Sequence, residues 1–85
     1  MMVQKDLPRP VAVTALDQLV LRVLFSNGEA RRFDLKPYLT YAAYQPLASE
    51  ALFRTARIEH GTVVWNDDID VSPANLYLLG EPLPG

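Results

Sequence analysis

Asn66, Asp67, Asp68 and Asp70 stand within five residues, directly after Trp65. Oxygen-bearing side chains at that density are what hard cations bind. Asp68, Asp70 and Ser72 have the alternate spacing that opens an EF-hand loop. Such a loop needs glycine at its sixth position and a bidentate glutamate at its twelfth. Here those positions hold Pro73 and Leu79. The segment therefore reads as a turn that leads into a helix, with Asp70 and Ser72 placed to satisfy the first amides. A small-ligand or ion site built from Trp65, Asp67, Asp68 and Asp70 is kept as the alternative reading.

Other chemistry is poorly supplied. His60 is the only histidine and sits beside Gly61, where a hairpin turn is expected. A general base needs a nucleophile and an orienting partner within reach. Ser26, Ser49 and Ser72 fall where turns and helix caps are expected, and no Gly-x-Ser-x-Gly elbow is present. The chain has no cysteine and four glycines, with no glycine-rich run to cradle a phosphate. No catalytic, cofactor-binding or metal-ligating set is expected, and the chain is read as a non-enzyme.

Two groups of residues suit recognition. Arg22, Arg31 and Arg32 are expected to share the outer face of a hairpin, with Lys36 beyond. Such a patch can meet an acidic partner, although the same bases also suit a solvated sheet face. Tyr38, Tyr41 and Tyr44 recur every three residues, and Tyr77 and Trp65 complete the large amphipathic rings. Tyr44 and Trp65 are assigned to core packing. Tyr38 and Tyr41 join Arg22, Arg31 and Arg32 as the candidate interface, because such residues are enriched where proteins meet.

These side chains must be positioned by short elements. Val11–Leu16 is β-rich. Leu19, Leu21, Val23 and Phe25 alternate with Arg22 and read as a second strand. Ser26-Asn27-Gly28 is a turn, and Glu29–Phe33 returns as a third strand. A three-residue loop with Gly28 left-handed sets Phe25 against Glu29 and Leu21 against Phe33. A two-residue turn would set Phe33 against Arg22, and a one-residue slip moves the apolar set to the wrong face.

Asp34 is expected to cap a helical turn, and Ser49 to cap a short helix ending near Arg54. Arg57–Glu59 and Thr62–Trp65 flank His60-Gly61 as a second hairpin. Ser72-Pro73 starts a last helix, with Leu76, Leu79 and Tyr77 inward and Gly80 at its end. The expected class is α+β, with antiparallel hairpins in a meander, short helices on one side and the order β-β-β-α-α-β-β-α. Residues 11–79 form the single domain. Residues 1–10 and 80–85 are expected to be flexible, because Pro8, Pro10, Pro82 and Pro84 suit neither ladder nor helix.

The 85 residues allow one core, with 49% hydrophobic and 21% charged residues. A net charge of −2 with interspersed signs argues against direct nucleic-acid binding. No apolar run approaches the length of a membrane span, so the expectation is a cytoplasmic chain with a protein partner or self-association.

From Leu21 onward the chain resembles a small bacterial family, domain of unknown function 2442. The carrying residues are Phe25 to Leu35, Tyr44-Gln-Pro-Leu47, Leu52-Phe53, Gly61 to Trp65 and Asp70 to Tyr77. Members often have Pro and Gly in the loop after the Trp, where this chain has Asn66 and Asp68. The resemblance implies a small α+β domain with a β-meander. It also implies a binding or sensing module, some members being paired with another small protein in antitoxin-like fashion. Some longer relatives carry a helix-turn-helix.

Overall fold

The computed structural model describes residues 7–66 and 68–83. Alternation builds its first sheet. Strands β1 (Pro10–Leu16), β2 (Val20–Phe25) and β3 (Ala30–Asp34) run antiparallel, and the register sets Leu21 against Phe33 and Ala15. The Ser26–Gly28 loop closes with Phe25 N–H donating to the Glu29 carbonyl at 2.8 Å, and Gly28 has φ +88°. The three-residue loop expected from the apolar pattern is the one formed.

The fold is α+β, and its strands divide into two antiparallel sheets. The first has the order β1-β2-β3-β7 and the second β4-β5-β6. Strand β4 (Arg57–Glu59) and β5 (Thr62–Trp65) form the expected hairpin through His60 and Gly61, both at positive φ. The acidic segment was expected to be loop throughout, yet Ile69–Val71 forms β6 against β5. Ile69 and Val71 are buried on one face while Asp70 points out, and the Thr62 hydroxyl donates to the Val71 carbonyl. Glu81–Pro82, expected to stay off the sheet, forms β7 on β3. Proline is tolerated there because β7 is an edge strand.

Between the sheets' sequences lie two 3-10 segments, Lys36–Thr40 and Ala42–Ala48, then α1 (Glu50–Phe53). Asp34 Oδ1 accepts Lys36 N–H at 2.9 Å, and Ser49 Oγ accepts Leu52 N–H at 3.4 Å. Helix α2 (Pro73–Leu79) starts on Ser72, whose Oγ accepts Asn75 N–H. The fully buried side chains are Trp65, Phe25, Phe53, Leu21, Leu35, Leu47, Leu76, Val23 and Val63. They come from both sheets, both helices and the second 3-10 segment, with Leu35 just before the first, so a single core joins the elements. Leu79, expected inward, is 61% exposed as the last residue of α2, although it lies only about 60° of helical rotation from the buried Leu76.

Pro10 belongs to β1. Residues 1–6 and 84–85 of the expected flexible ends lie outside the described residues, as does Asp67. Among the described residues no helix is long and apolar enough to cross a membrane.

Candidate interaction surface

The three arginines are sorted by the pleat. Strand residues alternate faces, and directly paired residues share one. Arg22 pairs with Arg32, while Arg31 pairs with Val23. Arg22 and Arg32 therefore lie on the outer face, and Arg31 lies with Leu21, Val23 and Phe33. The expectation of one three-arginine patch is corrected here: consecutive residues of a strand cannot share a face.

Arg31 serves the fold. Its Nη1 donates to the Tyr77 carbonyl at 2.6 Å and the Gly80 carbonyl at 3.3 Å, and its guanidinium lies 4.0 Å over the Tyr77 ring. Its Nε and Nη2 donate to the Glu29 carboxylate. A guanidinium satisfies the orphan carbonyls at the end of α2 and complements the negative end of the helix dipole. Gly80 permits this closeness. A Cβ there would stand 2.4 Å from the Leu76 carbonyl oxygen and 3.1 Å from Arg31 Cβ.

The tyrosines form a graded series. Tyr44 packs on the core, and its hydroxyl donates to the Asp70 carbonyl at 2.9 Å. Burial, then the charge of Asp70, raises its pKa above the usual phenol value. Tyr38 is half-buried against Phe33, with centroids 5.4 Å apart, and meets Tyr44 edge-on at 6.0 Å. Tyr41 extends this cluster into solvent, 6.3 Å from Tyr38 and 60% exposed. It occupies the extended junction between the two 3-10 segments, so neither helical turn covers it.

These side chains meet at one end of the first sheet. Strand β7 covers only Arg31 and Arg32 of β3. Beyond it opens a groove of about 490 Å³, lined by Arg32, Asp34, Pro37, Tyr38, Tyr41, Leu79 and Glu81. Of the candidate interface, Arg32, Tyr38 and Tyr41 line this groove. Arg22 lies across the ladder from Arg32, and Arg31 is withdrawn to the inner face. The Asp34 carboxyl, despite a burial cost, is held below its ordinary pKa by the Lys36 amide and ammonium.

The acidic segment forms a separate, smaller concavity of about 260 Å³. Glu59, His60, Asn66, Asp68 and Asp70 line it. Trp65, expected beside this loop, is fully buried, and its Nε1 donates to the Phe53 carbonyl at 2.9 Å. The alternation that buries Val63 and Trp65 turns Val64 toward the concavity instead. Asn66 Oδ1 accepts Asp68 N–H, and Glu59 is ion-paired with Arg57 at 2.9 Å, which holds its pKa below the usual value. Among the described residues no three His, Asp or Glu side chains are arranged to hold a metal ion.

A family model described as "Protein of unknown function (DUF2442)" matches residues 10–81. The chain belongs to this family. The match runs from the first residue of β1 to the first of β7, so the DUF2442 unit contains both sheets and both helices. No curated protein and no solved structure matches the chain.

Within the DUF2442 unit, sequence reading overlooked Asp34, Pro37, Leu79 and Glu81 as lining residues. Helical rotation marks Leu78, about 200° from Leu76, as an outward residue, but it leaves Leu79 about 60° from Leu76, so the pattern gave no signal for Leu79.

Proposed function

We propose that this DUF2442 chain is a non-catalytic protein–protein interaction module, and that the groove between Tyr41 and Leu79 is its docking surface. The supporting observation is the exposure of these two large side chains, 60% and 61%, in the lining of one concavity. Large apolar side chains exposed in one groove are costly in water and suit a partner that covers them. The finer reading is a cytoplasmic accessory protein, the antitoxin-like member of a two-gene bacterial pair.

The test is recovery of partners from the native host with a tagged chain, beside Tyr41→Arg and Leu79→Arg variants. A stoichiometric partner that both variants lose supports the module. Recovery unchanged by both variants, or no stoichiometric partner of any kind, own chain included, defeats it.

A second reading has its own observation. Glu59, His60, Asp68 and Asp70 line one small concavity, whose acidic side chains suit a small cationic ligand. It is the weaker reading, because Glu59 is already engaged by Arg57. Calorimetric titration with calcium, magnesium and a metabolite panel decides it, and heats indistinguishable from dilution end it.

A further inference from the structure

We infer that the occupant of the groove is a second copy of this chain, docked about a two-fold axis. This rests on the reading of that face as a docking surface.

A two-fold interface brings one patch against itself, so the patch must be complementary to itself. The apolar part of the lining meets that condition, since Tyr41 and Leu79 are 60% and 61% exposed. The rim meets it through charge. Arg32 stands on the same edge as Asp34 and Glu81, and its Nη1 lies 3.6 Å from Glu81 Oε1 with both side chains open to water. A rim of one sign would fit a foreign partner of the other sign. A rim carrying both signs fits its own rotated image, with Arg32 of one copy facing Glu81 of the next.

Arg22 adds a further demand. It lies directly across the ladder from Arg32, and among the described residues it has no ion pair. Like charges in that position repel. Glu81 is the one carboxylate in this row of two arginines and stands beside Arg32, so Arg22 is the charge left for a carboxylate of a second copy to meet.

Sedimentation equilibrium over micromolar to millimolar chain tests this. The expected mass rises from 9.5 kDa to twice that value. Leu79→Arg and Tyr41→Arg should each hold the chain at monomer mass, while circular dichroism and the melting temperature measured at concentrations where wild type is monomeric stay unchanged. Arg32→Glu and Glu81→Arg should each weaken dimerisation at least tenfold, and the double exchange should recover most of that loss. A chain that stays monomeric throughout, or a dimer untouched by Leu79→Arg and Tyr41→Arg, overturns the inference.

A photo-crosslinking phenylalanine at position 41, used in the host, separates the two ideas. A product of two copies supports both. A product with a different protein overturns the second copy and keeps the docking surface. No product overturns both.

Discussion

Arg31 reaches from β3 to the end of α2, where its Nη1 lies 2.6 Å from the carbonyl oxygen of Tyr77. Its guanidinium also covers the Tyr77 ring, whose edge-on partner is Phe25 at 5.1 Å. One side chain thus fixes the helix to the sheet, and the position of Leu79 at the groove follows from it.

Replacing Arg31 with Met should therefore act on stability. The stem is kept while charge-assisted hydrogen bonds to two carbonyls are lost, a cost of about 1.5–3 kcal/mol. Arg32→Met removes only an exposed pair and should cost under about 0.5 kcal/mol. Urea denaturation of both variants checks the contrast. Equal losses would refute the capping role.

Glycine substitutions separate crowding from backbone conformation. Gly80 has φ −73°, which any residue adopts, yet an added Cβ collides with the Leu76 carbonyl. Gly80→Ala should cost about 1–3 kcal/mol by forcing α2 and β7 apart. Gly28 is the reverse case, with φ +88° and open space around it. Gly28→Ala should cost about 1 kcal/mol and Gly28→Asn less, because Asn tolerates the left-handed region. Melting curves for the three variants rank them.

Much of this architecture was legible from residues, and the misses have physical causes. The β2–β3 register followed from four alternating apolar residues, since any slip would expose them. Both serine caps followed from one hydroxyl placed before each helix. Strand β6 was hidden because its single outward residue, Asp70, reads with the acids before it, and three residues carry too short an alternation. Strand β7 was hidden because proline argues against a ladder except at an edge, and an edge is defined only after folding. The pleat already separated Arg31 from Arg32. What the chain order concealed was the acceptor, a helix end 46 residues away.

Acid and alkali should test two different contacts. Glu29 is held below its ordinary pKa by the Tyr77 hydroxyl, against a burial cost, and then by Arg31 and Asn27. A lowered folded pKa contributes stability above the unfolded value of about 4.3, lost as pH falls through the folded one. Glu29→Gln should flatten the fall in stability below about pH 5. Tyr44 has a raised pKa, from burial first and then Asp70. Its contribution is complete below the unfolded value of about 10 and is lost as pH rises through the folded one. Tyr44→Phe should remove that alkaline loss while costing at most about 1 kcal/mol at neutral pH. Melting temperatures across pH, wild type against each variant, provide the check.

Leu76 and Leu79 give the sharpest division between fold and surface, being one helical turn apart on α2. Leu76 is fully buried in the common core, so Leu76→Ala removes buried methyls and leaves a cavity. That change should cost about 2–5 kcal/mol. Leu79 is 61% exposed and lines the groove, so Leu79→Ser should leave the isolated chain within about 0.5 kcal/mol of wild type. The wild-type chain should bind a dye for exposed apolar surface more strongly than Leu79→Ser when held at concentrations where it is monomeric. Denaturant midpoints at low concentration measure the first pair of effects, and dye fluorescence the second. A large loss of monomer stability on Leu79→Ser would mean that this leucine belongs to the core, and the groove would then be a packing defect with no surface role.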